Sequence, residues 1–77
     1  MIQVTTVHMG SEIHKCLNKM DRTVSWLADE IGRDQSNLNK QLLKPYVHSD
    51  LVFIISQVLH VDLFTCYSNE LIKLNKK

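Results

Sequence analysis

Residues Thr23 to Leu42, TVSWLADEIGRDQSNLNKQL, constrain the fold more than any other stretch, because two helical periods of different character meet across one glycine. Val24, Leu27, Ala28 and Ile31 recur at the spacing that lines one side of an α-helix. Thr23 stands just before them, where its hydroxyl can accept a bond from an otherwise unpartnered first-turn N–H. Gly32 follows the last apolar residue, where a left-handed C-cap costs a glycine nothing, and Asp34 is placed to cap the next helix. In that second helix Leu38 and Leu42 share one face, leaving Gln35, Ser36, Asn37, Asn39 and Lys40 over the remaining surface. The pattern predicts two short helices joined by a tight turn, the second packing on one side and free to bond on the other.

The polar side of that second helix is unusual for a merely solvated one. Glu and Lys pairs would be ordinary there, whereas Gln, Asn and Ser both donate to and accept from base edges. At this point the chain resembles the phage repressor and Cro type of helix-turn-helix family, also called XRE. Leu27, Ala28, Gly32, Gln35 and Leu38 match its leucine-alanine pair, turn glycine and Gln-led second helix in register. The resemblance extends from about Ser11 to Leu63, since SDLVFIISQVLHVDLF is similar to the family's fourth helix, link and fifth helix. It also resembles short Bacteroidetes-type bacterial regulators that share an aromatic after a Val-Ser or Val-Thr pair and a Tyr-Ser near the C-terminus. The resemblance implies a close crossing of the two helices at Ala28 and a contact of Gln35 with an adenine edge or a phosphate. It also implies a two-fold dimer contact at the C-terminal end of the domain. Two departures stand out. Trp26 occupies a position where many members have Glu, and Pro45 replaces the usual glycine-centred loop, which puts backbone phosphate contacts through that loop in question.

Length and composition agree with one small all-helical domain. The chain has 77 residues, with two glycines and one proline, and its Leu, Ile and Val fall at helical rather than alternating spacing. The expected fold is a compact, lambda repressor-like bundle of about five helices, with the helix-turn-helix at helices 2 and 3. The expected division is an N-terminal arm over 1–10, a DNA-binding domain over 11–72 and a basic tail over 73–77. The β-prone start MIQVTTV could form an edge strand, a dimer arm or a disordered lead-in. It lacks a positive n-region, and nowhere is there an apolar run of about 20 residues to span a bilayer, so a cytoplasmic protein is expected.

Helix one is expected from Ser11, as cap, to about Lys19, with Ile13, Cys16, Leu17 and Met20 inward. Helix four should start after Ser49 or Asp50 and pack through Leu51, Val52, Ile55, Val58 and Leu59. Phe53 and Ile54 are then either covered by helix five or exposed as an interface. Asp62 is read as the cap of a fifth helix containing Leu63, Phe64, Cys66 and Tyr67, with Leu71, Ile72 and Leu74 in a small C-terminal turn or helix.

Several chemistries have no support in the residue pattern. Cys16 and Cys66 lie apart without a CxxC or a Cys/His cluster, which suits free structural thiols rather than a disulfide or zinc site. His8, His14, His48 and His60 lack metal-ligand spacing, and no Ser/His/Asp order, paired acidic motif or glycine-rich phosphate loop suggests catalysis. Neither an enzyme, nor a cofactor, nor a metal, nor a small-molecule substrate is expected. The net charge of +1 is too small to argue for strong nonspecific nucleic-acid binding. By region it says more. Arg33, Lys40 and Lys44 face the single acid Asp34 between Arg33 and His48, while Pro45 to Ile72 contains no Lys or Arg but carries Asp50, Asp62 and Glu70.

These readings converge on a sequence-specific regulator of transcription, a repressor that docks as a homodimer on near-palindromic double-stranded DNA. Gln35, Ser36, Asn39 and Lys40 are the candidates for base contact in the major groove. Arg33, Asn37, Lys44 and Tyr46 are the candidates for backbone contact, Tyr46 also reading as a lid on the core. Phe53, Ile54, Phe64 and Tyr67 are candidates for the dimer interface. Trp26 reads as a packing or cap-region aromatic rather than a base-stacking platform. The alternatives on the same helical fold are a protein-interaction module that has lost DNA binding, and an antitoxin that binds both DNA and a toxin.

Overall fold

A computed structural model describes residues 7–75. They form five α-helices: α1 (Met9–Lys19), α2 (Val24–Ile31), α3 (Gln35–Leu42), α4 (Ser49–Leu59) and α5 (Thr65–Asn75). No strand occurs among the described residues, so the expected all-helical bundle of five is the observed class. Of the arm anticipated over 1–10, residues 1–6 lie outside the described residues, whereas His8 caps α1 and Met9 and Gly10 are buried in its first turn; Lys76 and Lys77 of the basic tail also lie outside.

The core follows the helical spacing of the sequence. Ile13 and Leu17 of α1, Leu27 and Ala28 of α2, Leu38 and Leu42 of α3, and Leu51, Val52, Ile55 and Leu59 of α4 are all buried together. Burying each of these leucine, isoleucine and valine side chains stabilises the fold by roughly 1.5–3 kcal/mol relative to leaving it in water. Cys16, Val24, Ile31 and Val58 are half-buried at the rim. Met20 departs from expectation at 39 % exposed, because α1 ends at Lys19 and Met20 is its cap rather than a further turn. Met9, Val47 and Leu63 join the core from outside the regular stripes.

The helix starts differ from the sequence reading wherever histidine does the capping. Helix α1 begins at Met9, not at Ser11, and the Ser11 N–H donates to His8 Nδ1 at 3.1 Å. The reason is packing: Met9 is fully buried, its N–H donates to the Pro45 carbonyl at 3.0 Å, and Gly10 lies against the end of α3. Helix α4 likewise begins at Ser49, with His48 Nδ1 accepting the Asp50 N–H at 3.2 Å. Helix α5 begins later than expected. Asp62 Oδ1 accepts the Phe64 N–H at 3.0 Å in a turn that holds Leu63 and Phe64, and the Thr65 hydroxyl donates to the Asp62 carbonyl at 2.7 Å. From Thr65 the helix runs without a break through Leu71 and Ile72.

Three helices end the same way. Asp21, Gly32 and His60 have φ of 55°, 69° and 56°, and the next N–H in each case reaches back to a carbonyl of the last full turn. Those bonds are Arg22 to Leu17 at 2.9 Å, Arg33 to Ala28 at 2.9 Å and Val61 to Ser56 at 3.1 Å. Ser56 also ties α4 to the link after it, donating to the Val52 carbonyl at 2.8 Å and accepting the Leu63 N–H at 3.3 Å. Within the bundle α3 packs against both α1 and α2, and α2 also packs against α4.

Candidate nucleic-acid interface

The site is built from α2, its turn and α3. Thr23 Oγ1 accepts the Trp26 N–H at 3.1 Å, Gly32 takes the left-handed conformation, and Asp34 accepts the Asn37 N–H at 3.0 Å, all as the residue types require. Ala28 is buried in the core, and α2 packs against α3. Leu38 and Leu42 turn one side of α3 into the core.

The other side of α3 is open. Gln35, Ser36, Asn39 and Lys40 are all exposed, and their side chains make no hydrogen bond or ion pair within the described residues. Their donors and acceptors therefore face solvent from one rigid surface. The four base-contact candidates are brought together as the spacing implies. Asn37 and Lys44 are exposed along the same helix and just beyond its end. Tyr46 is 72 % exposed, which removes its reading as a lid on the core. Arg33 stands apart from that stripe, lining a shallow hollow with Gln41, His48, Asp50 and Leu51. Asp50 in the same hollow weakens the positive field that Arg33 offers there.

Two features of this surface were not among the sequence candidates. Leu43, the C-cap of α3, is 74 % exposed directly after the polar stripe. Counting the helical stripe one residue past Leu42 would have found it. Arg22 lies over the Trp26 ring, 4.7 Å from its centroid, beside the capped start of α2. Trp26 is half-buried against the core and so has a packing role.

The dimer candidates are only partly gathered. Phe53, 57 % exposed, and half-buried Phe64 line one open groove with Ser56, Gln57, His60, Val61 and Asp62. Ile54 is half-buried and does not line it, and Tyr67 stands on α5 outside it. Val61 on the link and Leu71 and Ile72 on α5 are further exposed apolar residues.

The remaining reactive groups sit elsewhere. Cys16 and Cys66 are free thiols, both half-buried. Burial pushes the Cys66 thiol above its ordinary value, and the neighbouring Glu12 carboxylate, which accepts a hydrogen bond from Sγ at 3.6 Å, adds to that. Among the described residues no group of three or more His, Cys, Asp or Glu is placed to hold a metal ion. No helix there is long and apolar enough to cross a membrane. Comparison of the chain with family models, curated proteins and solved structures finds no match.

Proposed function

We propose that this protein is a sequence-specific double-stranded DNA-binding regulator of transcription that lays α3 in the major groove and acts as a homodimeric repressor. The observation that carries the reading is the α2–turn–α3 pair. Its second helix buries Leu38 and Leu42 and leaves Gln35, Ser36, Asn39 and Lys40 exposed and unengaged. In the groove Gln35 or Asn39 would pair bidentately with adenine, worth about 1–3 kcal/mol of discrimination against a wrong base. Ser36 and Lys40 would contact neighbouring base edges. Asn37, Lys44 and Tyr46 would grip phosphates beside the groove, with Arg33 contributing from the far flank. Two copies of α3 about 34 Å apart would read successive turns of one duplex face. Bound there, the dimer would keep polymerase from the promoter, and such a protein works in the cytoplasm.

Selection from a random duplex pool at moderate salt tests this directly. Enrichment of two inverted half-sites about 10 base pairs apart is the expected result. Folded Gln35→Ala and Lys40→Ala variants should lose the enriched duplex, and retention of binding by both would refute the assignment of α3 as the reading helix. A second reading, a protein-interaction module, is favoured by the exposed apolar surface of Phe53, Val61, Leu71 and Ile72. It predicts no enrichment by folded protein.

A further inference from the structure

We infer that Leu43 is a specificity residue of the reading surface, packing against the C5-methyl group of a thymine in the major groove. The inference rests on the proposal that α3 reads DNA. Single exposed leucines are common and by themselves need no explanation. Leu43 differs in its place.

Its backbone continues the helix, with φ of −75° and ψ of −19°, and its N–H donates to the Asn39 carbonyl at 3.2 Å. At about 100° per residue, the Leu43 side chain therefore projects between those of Asn39 and Ser36. It lies inside the polar stripe rather than beside it. Among the described residues it is also the most exposed large apolar one, at 74 %. The end of α3 is held in position from behind by α1, through the Met9 N–H to Pro45 carbonyl bond and the close approach of Gly10 to the Leu42 and Lys44 carbonyls. An apolar side chain on this anchored backbone, among hydrogen-bonding ones, has no hydrogen bond to offer a base edge. The one apolar group that standard base pairs present in the major groove is the thymine methyl. An isobutyl group on this stripe thus discriminates thymine from cytosine at one position of each half-site, a step further along the site than the bases met by Asn39 and Ser36.

The probe is the duplex recovered from the random pool, with each thymine replaced in turn by deoxyuridine, which deletes the methyl and leaves every hydrogen-bonding group. The unsubstituted protein should lose about three- to fivefold in affinity at one thymine per half-site, the size of one methyl group's burial. Leu43→Ala, which removes the contact from both half-sites of the dimer, should bind the thymine duplex more weakly by about the square of that factor, roughly 10- to 25-fold, and be indifferent to that deoxyuridine. Leu43→Met, which keeps an apolar chain, should restore the preference. If the duplex binds but Leu43→Ala shows the same response to deoxyuridine as the unsubstituted protein at every thymine, the contact is disproved while the DNA-reading function stands. If folded protein enriches no duplex, both fall together.

Discussion

A methyl group at position 10 would overlap the Leu42 carbonyl oxygen and stand 2.8 Å from that of Lys44. Both are backbone atoms at the end of α3, so neither can rotate away as a flexible side chain would. Gly10→Ala gains helix propensity of about 1 kcal/mol, but overpacking against a fixed neighbour costs about 1–3 kcal/mol and wins when no side chain can yield. The variant should be less stable by about 1–2 kcal/mol, seen as a lower urea midpoint at unchanged slope. A midpoint at or above the unsubstituted value would mean that α1 can withdraw from α3 at little cost. The residue scale is also where sequence reasoning failed most. His8 and His48 cap two helices through Nδ1; a surface or capping role suits a lone histidine, but histidine is not among the usual cap residues, so the pattern did not place these two helix starts. Met9 and Val47 enter the core from a helix start and a loop, where periodicity has nothing to count.

At the scale of elements, three helix ends share one geometry but not one residue type. Gly32 fits the left-handed C-cap without strain, whereas Asp21 and His60 carry a Cβ there. That conformation costs a non-glycine residue about 1–2 kcal/mol, while glycine's extra freedom in the unfolded chain returns about 0.5–1 kcal/mol of the benefit. His60→Gly should therefore stabilise by about 0.5 kcal/mol and raise the melting temperature by roughly 2–4 °C. A lower melting temperature in calorimetry would show that the His60 side chain contributes more than its backbone strain takes away. The α2–turn–α3 segment was legible in full because its signals were local and mutually consistent: Thr23, Gly32 and Asp34 each act within three residues of the group they satisfy. The start of α5 was not. Asp62 looked like a cap for the residue after it, but its carboxylate closes a turn and the helix waits until Thr65. The candidate site was legible to the same degree as its helix. Spacing alone gathers Gln35, Ser36, Asn39 and Lys40, while the separation of Arg33 from them depends on how α4 begins, a tertiary fact.

Across the whole molecule, the described residues extend 43 × 22 × 20 Å, and, Leu43 and Tyr46 aside, the basic residues of α3 and the exposed apolar ones of the C-terminal half occupy separate stretches of the sequence. Arg33, Lys40 and Lys44 belong to the turn and α3, while Phe53, Val61, Tyr67, Leu71 and Ile72 belong to α4, the link and α5. A protein that docks on DNA through the first and on its own copy through the second would need this separation. Phe53→Asp tests the second surface: an exposed position tolerates the change within about 0.5 kcal/mol of stability. The proposed dimer should weaken at least tenfold in sedimentation equilibrium, and an unchanged association constant would move the interface away from the Phe53–Phe64 groove. The attachment of α3 bears on any association it enters. Its beginning is fixed by the turn from α2, and its end by the Met9 to Pro45 bond and the seat of Gly10. The conformational entropy that a loosely held segment would surrender on meeting a partner is therefore already surrendered when this chain folds. An association made through α3 would then order its exposed side chains but little backbone, with a heat-capacity change no larger than the contact area itself accounts for.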